Sequence, residues 1–423
     1  MIARFWNART DPSGFSPAFF MTGKAAAGPE AASKPAEAPR RVRGYMVEAI
    51  AADRIGEFMD GWADLHGRAL EPNVFLDPAF AVPAYQHLPA VNRPVFVLVH
   101  EEQAPQQRGR LIGVTPVMLP RRAFGDSIAR GFEHKFASLG MPLFDHHQAV
   151  DALELTLDWV AQERPDVVGL LLRDVPKNGP VFSLLRRHAS RVGRALALFD
   201  ERERAILPGG RSDELFSGRS KDLREMRRLR RQMSKHGEVT YRSLRTPAEI
   251  REAAEQFMAL EDGGWKGARG TSLLAEPSVA TFARTMTRLM ARKDKISIES
   301  LDVGGKPVAM GVVLESNNRA YFWKTAYDEA YARYAPGVQL ACELSGRLAA
   351  RDDIVMTDSC ATSGHELMER LWPQRLALAD VMVPVARNAG ALFESARRRE
   401  LARRALRAAA KKTFLKAMGR ATV

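Results

Sequence analysis

Beyond residue 43, the spacing of hydrophobic residues alternates between the period of helices and that of strands. In the first half, the pattern predicts a helical stretch over 46–65, with Ile55, Phe58 and Trp62 on one face, and an irregular, proline-rich connection over 73–85. The elements predicted after it are strands at 95–100, 111–119 and 134–139, a helix at 153–161, a strand at 167–172, a helix at 181–190 and a strand at 195–207.

The second half shows the same alternation with stronger local signals. Thr246 and Glu249 have the spacing of a capping box, and Pro247 stands where a first helical residue belongs, so a helix is predicted to start there. Gly304-Gly305 and Asn317-Asn318 are two-residue connections typical of tight antiparallel hairpins. The predicted elements are a long basic helix at 212–236, a strand at 239–244, helices at 246–262 and 277–292, strands at 296–303, 308–315 and 320–326, a helix at 338–351, a strand at 354–358, a short helix at 365–371, a strand at 376–385 and a final basic helix at 392–418.

Both halves therefore repeat one order: a helical start, an antiparallel meander, then helix, strand, helix and strand. We predict an α/β fold of two tandem units, each with a central mixed β-sheet flanked by helices, although no repeat of the sequence itself is visible. The predicted division is a disordered tail over 1–43, units over 44–210 and 211–388, and a basic C-terminal helix over 389–423.

Composition and charge narrow the class of protein. No apolar run approaches the ~20 residues that a membrane helix needs, and the N-terminal residues lack the pattern of a secretion signal. Two cysteines, Cys342 and Cys360, are too few for a disulfide framework, so we expect a cytoplasmic protein. The net charge of +13 is concentrated in the runs 219–235 and 397–420. Each run is either a solvated helix face or a surface that attracts anionic membrane or RNA.

The stretch 321–340, YFWKTAYDEAYARYAPGVQL, joins a predicted strand to a predicted helix through aromatic and ionisable residues. Open α/β sheets bind ligands at such junctions, because the free N–H groups at the start of the helix attract anions. A purely structural interpretation, a strand followed by a loop with aromatic and ionisable side chains, is equally open. We take this stretch as the candidate site.

Four short motifs resemble those of one acyltransferase group. They are LEDGGWKG at 260–267, KTAYD at 324–328, YAPG at 334–337 and DSC at 358–360. Together they are similar to the GNAT-type acetyltransferases associated with cellulose and exopolysaccharide biosynthesis, a group related to the Fem-type aminoacyl transferases, which also carry two GNAT-like units. The resemblance covers about 46–385, and the recognisable residues lie in the second half. It implies acetyl transfer from acetyl-CoA, with no metal, to a small-molecule or sugar-linked acceptor.

The resemblance also suggests where the donor binds. In GNAT folds the pantetheine lies between two splayed strands, and the next helix receives the pyrophosphate. Here that places the donor at Arg333, Tyr334, Pro336 and Gly337. The usual phosphate loop, Gln/Arg-x-x-Gly-x-Gly/Ala, is replaced by ARYAPG at 332–337.

Candidate catalytic groups are Lys324, Asp328, Asp358 and Tyr327. Acyl transfer needs a base for the acceptor proton and donors for the oxyanion and the leaving thiolate. The alternatives stay open: Lys324 on the polar face of its strand, Asp328 as a turn cap, Tyr327 and Tyr334 as packing, Asp358 as a buried structural carboxylate.

Candidate acceptor-binding residues are Glu261, Trp265 and Lys266, at the predicted end of a helix. A carboxylate there opposes the helix dipole, so we expect a raised pKa for Glu261. Trp265 is expected to form a wall of the acceptor pocket or to pack its own loop. Asp145-His146-His147 lacks a third spaced ligand, and Cys360 lacks an obvious histidine partner, so neither predicts a metal site or a nucleophile.

Two other function classes remain. A Fem-like aminoacyl transferase would use the basic run 219–235 to hold the acceptor end of a transfer RNA. A non-enzymatic adaptor would instead use the C-terminal helix to dock on an anionic membrane or a partner protein. Loss of function on changing Lys324, Asp328 and Asp358 favours an enzyme, and loss on removing the residues after 392 favours the adaptor.

Overall fold

The computed structural model describes residues 39–51, 53–89, 94–105, 107–121, 126–210, 220–372, 374–385 and 390–420. Most of the predicted N-terminal tail and the predicted helix start at 212 lie outside these residues. The elements of the first half are β1 (Arg40–Val42), β2 (Tyr45–Ala51), a 3₁₀ turn (Ile55–Phe58), α1 (Met59–Gly67), a 3₁₀ turn (Val74–Leu76), α2 (Pro78–His87), β3 (Val95–Ala104), β4 (Gln107–Met118), β5 (Ile128–Gly131), β6 (Leu143–Phe144), α3 (Ala149–Glu163), β7 (Gly169–Pro176), α4 (Pro180–Arg191) and β8 (Ala197–Pro208).

The second half follows its predicted order closely. The capping box is present, since Thr246 and Glu249 satisfy each other's backbone N–H groups, and Asn317 takes the positive φ that a tight hairpin turn requires. Its elements are α5 (Ser220–Met233), a 3₁₀ turn (Ser234–His236), β9 (Val239–Leu244), α6 (Pro247–Asp262), α7 (Trp265–Ala268), α8 (Pro277–Arg292), β10 (Ile296–Val303), β11 (Lys306–Ser316), β12 (Arg319–Tyr327), a 3₁₀ turn (Glu329–Tyr334), α9 (Pro336–Ala349), β13 (Met356–Asp358), α10 (Glu366–Leu371), β14 (Gln374–Pro384) and α11 (Gly390–Arg420).

Three predictions in the first half are wrong. Residues 45–51 are strand β2 rather than helix, because they pair in register with β3. The proline-rich connection contains helix α2, which Asp77 caps by accepting the Ala79 N–H at 2.8 Å and which tolerates Pro83 in its interior. The strand expected at 134–139 is instead β5, at 128–131, and 134–139 is a loop that packs Phe136 and Leu139 into the core.

Strands of both halves form one mixed sheet. In the described residues its order is β1-β2-β3-β4-β5-β7-β14-β8-β13-β12-β11-β10-β9, with β6 beside β4. The β5/β7 and β12/β13 pairs are parallel, and the other pairs are antiparallel. Apart from the two-residue β6 and the four-residue α7, each half supplies the order β-α-α-β-β-β-α-β-α-β, from β2 to β8 and from β9 to β14. The fold is the predicted mixed α/β arrangement.

The two halves exchange their last strands. β14, the last strand of the second half, pairs with β7 of the first half, and β8, the last strand of the first half, pairs with β13 of the second. β14 and β8 also pair with each other. The predicted boundary between the units, at 210/211, stays a prediction. The strands before and after it belong to one hydrogen-bonded sheet.

Helices cover both faces of the sheet. On β11, Val312 packs in one cluster with Phe257 of α6 and Phe282 of α8, whereas Val313 packs in another with Leu344 of α9. Neighbouring strand residues point to opposite faces, so this alternation places α6 and α8 on one side of β11 and α9 on the other. A ligand that passes between β12 and β13 would therefore connect the two layers of helices.

Candidate active site

The parallel strands β12 and β13 separate after three paired residues. Their pairing runs from Arg319 with Met356 to Tyr321 with Asp358, where β13 ends. β12 continues to Tyr327, paired only with β11 among the described strands. Beyond Tyr321, β12 thus has no strand partner among the described residues on the side of β13, which is the arrangement that the resemblance implies for the pantetheine.

Helix α9 begins beside the end of β12 without a side-chain cap. Its N-cap residue, Ala335, has a left-handed backbone with φ of 51°, and no side chain caps the helix there. Pro336 is the first helical residue, and a Cβ on Gly337 would lie 3.4 Å from the ring of Tyr327. Because the first N–H groups of a helix and its dipole favour negative charge, this start is suited to a phosphate.

Aromatic and basic side chains flank the α9 start. The Tyr334 hydroxyl, on a buried ring, lies 2.8 Å from Nε2 of His236, and the Arg333 guanidinium lies 4.8 Å from the centre of that ring while staying exposed. Helix α5 packs against the 3₁₀ turn 329–334, which carries Arg333 and Tyr334. Its exposed arginines are Arg224, Arg227, Arg228 and Arg231. Exposed arginines therefore lie on the helix that packs beside the turn leading into α9.

Three charged residues meet in the interior next to β12. The Glu261 Oε1 atom accepts hydrogen bonds from Lys266 Nζ at 3.0 Å and from Lys324 Nζ at 3.1 Å. Its Oε2 atom accepts the Leu273 N–H at 2.8 Å, and Lys266 Nζ also donates to the Thr325 carbonyl at 2.9 Å. The structure thus brings together one predicted catalytic residue and two predicted acceptor-binding residues as a single ion cluster.

The predicted direction of the Glu261 pKa is wrong. Burial alone would raise it, but the ammonium groups of Lys324 and Lys266, together with the Leu273 N–H, outweigh burial and lower the pKa of Glu261 to about 2. The helix-dipole argument considered only the backbone and missed two lysines at hydrogen-bond distance. Glu261 is therefore an ionised partner that fixes both lysines, and it is too weak a base to take a proton from an acceptor.

Asp328 and Trp265 lie near this cluster in different roles. Asp328 caps the 3₁₀ turn that follows β12, since its Oδ1 atom accepts the Ala330 N–H at 2.9 Å. The Trp265 N–H donates to Glu329 of that turn at 2.7 Å, and the guanidinium of Arg269 lies 5.0 Å from a Trp265 ring centre. These contacts tie the end of α6 to the end of β12. They do not test the predicted roles of Asp328 as a base and Trp265 as a pocket wall.

Asp358 lies apart from the lysine cluster, at the centre of the sheet. It is fully buried and forms an ion pair with Arg204 of β8, and its Oδ1 atom accepts the Cys360 N–H at 2.9 Å. Arg204 also donates to the Ser138 carbonyl at 2.9 Å. The last residue of β13 thus joins the two halves, and sequence reasoning missed its partner because Arg204 belongs to the alternating charges of 201–204.

A cavity of about 200 Å³ lies just past the end of β13. The segments that line it are 132–134, 137–140, 173–174, 202–204, 360–363 and Leu378. The same 132–140 loop reaches β12, since Trp323 Nε1 donates to the Phe136 carbonyl at 2.9 Å and Lys324 Nζ lies 5.4 Å from the Phe136 ring centre. The loop that lines the cavity therefore also contacts β12, and the first-half residues of the cavity were not predicted.

A family model described as "Acetyltransferase (GNAT) domain" matches residues 220–358, about a third of the chain. The match runs from α5 to the end of β13 and includes the open strand end, the start of α9 and the lysine cluster. Residues 220–358 are thus similar to the acetyltransferase (GNAT) domain. Membership of the group associated with cellulose and exopolysaccharide biosynthesis stays a prediction, and no curated protein matches the chain.

Several solved structures share the fold at low similarity. The C-terminal domain (DUF2156) of a putative lysylphosphatidylglycerol synthetase from Agrobacterium fabrum has a TM-score of 0.49 at 10% identity, over 77% of this chain and 92% of that one. FemX has a TM-score of 0.48 at 10% identity, over 77% and 96%. A tandem GNAT protein from the clavulanic acid biosynthesis pathway has a TM-score of 0.40 at 14% identity, over 81% and 99%. Similarity at this level identifies no donor or acceptor.

Two further searches of the described residues gave negative results. None of the helices there combines the length and the apolar character that crossing a bilayer requires. No three His, Cys, Asp or Glu side chains converge there in a way that could hold a metal ion.

Proposed function

We propose that the chain transfers an acyl group from a thioester, most simply acetyl from acetyl-CoA, to an amine or hydroxyl by direct attack. The observation that carries this proposal is the uncapped start of α9 beside the unpaired end of β12, within the part that matches a GNAT domain. The donor pyrophosphate would bind at Gly337 and Arg333, and the pantetheine amides would pair with backbone groups of β12 on the side that lacks a strand partner in the described sheet.

In this proposal Lys324 is the electrostatic catalyst. It lies three residues beyond the last β12/β13 pair, where the thioester carbonyl would be, and Glu261 holds its ammonium group in place. A fixed positive charge beside the carbonyl stabilises the oxyanion that forms when the acceptor attacks. The C–S bond then breaks, and the thiolate leaves with the electron pair. Tyr327, beside Gly337, is the candidate donor of a proton to that thiolate.

A carboxylate at Gly337 tests the donor site. Gly337→Asp would place a negative charge where the pyrophosphate should bind, and we expect acetyl-CoA affinity to fall at least tenfold in a calorimetric titration. Gly346→Asp is the matched control, because Gly346 lies on the same helix, far from its start, with open space around it. Equal affinity in both variants, or no binding of acetyl-CoA by the unmodified protein, would contradict the proposal.

An aminoacyl-tRNA donor is the second candidate, and the exposed arginines of α5 beside the start of α9 favour it. If this helix holds RNA phosphates, binding of transfer RNA should weaken steeply with salt, and Arg227→Ala with Arg231→Ala should reduce the salt slope by about 2. Lys293→Ala with Lys306→Ala, two exposed lysines elsewhere, is the control. Filter binding measures the affinity for transfer RNA at several salt concentrations. No binding, or an unchanged salt slope in the arginine variant, excludes this donor.

The acceptor and partner assignments are more distant steps. A sugar or a polysaccharide precursor as acceptor rests on the resemblance of the four motifs. Helix α11 packs through Phe393 and Ala396, whereas its described side chains from 405 to 413 are all exposed and include Arg407, Lys411 and Lys412. That part is free to contact an anionic membrane or RNA, which keeps the adaptor function as a hypothesis to test beside the enzymatic one.

A further inference from the structure

The cavity past β13 is built from both halves because the last strands are exchanged. β8 of the first half pairs with β13 through 206–208, so its residues 202–204 lie past the end of β13, and the loop after β13 also lines the cavity. Cys360 in that loop and Asp174 on β7 both have a positive φ of 51°, which is uncommon for residues other than glycine. Register shifts also interrupt the ladders of β14 with β7 and β8 beside it. Bulges and left-handed residues of this kind aim side chains at functional sites.

The three arginines of the cavity wall are already neutralised by carboxylates of the chain. Arg173 pairs with Glu133 at 3.2 Å, and Arg204 pairs with Asp358. Arg202 pairs with Asp174 and, at 3.0 Å, with Asp380, which α11 also reaches through Arg404 at 2.7 Å. An arginine whose charge is satisfied in this way attracts a phosphate or carboxylate weakly. The cavity is therefore not an anion site.

Among the charged residues of the wall, Glu203 and Arg204 each keep a polar group for a ligand. Glu203 lines the cavity and is exposed, and no cation of the described residues pairs with it. The Arg204 Nε–H is buried without a hydrogen-bond partner in the described structure, so it lacks an oxygen acceptor. A carboxylate and an unpaired N–H donor together match a molecule with an ammonium group and a hydroxyl oxygen.

We propose that this cavity is the acceptor site and that it takes a small hydroxylated primary amine without phosphate, bound through its ammonium group by Glu203. This assignment rests on the proposed function, because it supplies the nucleophile for the thioester held between β12 and β13. It makes the reaction an N-acyl transfer. Glu203 becomes a specificity-determining residue for the amine.

The chemical step balances without another reactant. The ammonium group first releases one proton to water at the open mouth of the cavity. The neutral nitrogen then forms the C–N bond, the C–S bond breaks, and the remaining extra proton passes to the leaving thiolate. Cys360 takes no covalent part, because burial raises the pKa of its thiol and keeps it protonated.

Matched amines and alcohols test the assignment. The full chain is mixed with acetyl-CoA and glucosamine, glucose, ethanolamine, ethylene glycol or glucosamine 6-phosphate, and the released thiol is followed by absorbance. We expect turnover of the two unphosphorylated amines and little of the other three compounds. Glu203→Gln should raise KM for glucosamine about fivefold and change kcat less than twofold. Glu201→Gln is the control, since Glu201 is on the same strand, exposed, and pairs with Lys177 outside the cavity.

The outcomes separate this inference from the proposed function. If the protein binds acetyl-CoA but acetylates the alcohols, the phosphorylated amine or none of the five compounds, the amine assignment is wrong and the donor site stands. An unchanged KM in Glu203→Gln also rejects it. If acetyl-CoA does not bind at all, the proposed function fails, and the acceptor assignment fails with it.

Discussion

The two halves share an order of elements but differ around the helix that follows the antiparallel strands, α3 in the first half and α9 in the second. In the first half this helix is α3, and the turn before it is filled by Asp145, which accepts the N–H groups of His147 at 2.8 Å and Gln148 at 3.2 Å. Asp145 is fully buried and pairs with Arg68. In the second half the helix is α9, and neither helix has a side-chain cap at its N-cap residue, Gln148 or Ala335.

Strands β5 and β12 differ in how far they continue beyond the pairing with their parallel partners. β5 ends at Gly131, one residue after its last pairing with β7, whereas β12 runs on to Tyr327, six residues past its last pairing with β13. In the first half a buried carboxylate thus accepts the N–H groups just before the helix, and β5 has almost no edge without a strand partner. In our proposals the second half carries the donor site, and both halves line the acceptor cavity.

The largest expected effect is the loss of the internal carboxylate. Asp145→Ala leaves Arg68 half-buried without its buried partner and frees two N–H groups, so the free energy of unfolding should fall by about 3–5 kcal/mol in urea denaturation. Asp64→Ala is the matched control, because Asp64 pairs with the same Arg68 at 2.9 Å but is exposed; it should cost less than about 1 kcal/mol. Equal losses would show that Asp145 is no more than a surface partner.

Acid titration probes the ion cluster of the second half. Glu261 has a folded pKa of about 2, below the ~4.3 of an unfolded glutamate, so its contribution of about 3 kcal/mol is complete above pH ~4.5 and is lost as the pH falls towards 2. Unfolding free energies measured from pH 6 to pH 2.5 should show this slope. Glu261→Gln should flatten it, and Glu252→Gln, exposed on the same helix, should not. A slope shared by all three proteins would place the acid sensitivity elsewhere.

The free end of β12 is tested at Lys324. Lys324→Met keeps the packing of the side chain and removes the charge, so we expect kcat/KM to fall about 100-fold, a loss of about 2.7 kcal/mol in the transition state. Lys306→Met, at the exposed start of β11, should leave kcat/KM unchanged. Acetyl-CoA affinity should change little in either. A loss confined to stability would make Lys324 a structural partner of Glu261.

Local signals explain what the sequence predicted well. The capping box at Thr246 and the hairpin turns at 304–305 and 317–318 each specify a short-range geometry, so the elements of the second half were placed within a few residues. In the first half, prolines in 78–83 suggested an irregular chain, yet Pro78 is only the first residue of a helix. Exchange of β8 and β14 was not predictable, because the alternation of hydrophobic residues fixes a strand's faces and says nothing about its partners.

The site was predictable to the extent that its residues are close in sequence. The stretch 321–340 contains the free strand edge and the start of α9 as expected. The convergence of Lys324 with Glu261 and Lys266 depends on the packing of α6 against β12, and the partner of Asp358 comes from the other half. Such long-range ion pairs leave no local pattern, since a buried Arg204 and an exposed Glu203 look alike in an alternating charged strand.

The smallest expected effect comes from a carboxylate placed in the first turn of α9. Gly337→Asp places a carboxylate near the helix start and replaces a glycine, so the free energy of unfolding should rise by about 0.5–1 kcal/mol while donor binding falls. Gly346→Asp gains the same propensity near the C-terminal end, where the dipole opposes the charge, and should be less stable than Gly337→Asp by about 0.5 kcal/mol. Denaturation midpoints with unchanged slopes measure both. If Gly337→Asp were the less stable variant, Ala335 and the ring of Tyr327 would leave no room for a carboxylate. The start of α9 would then not favour a negative charge.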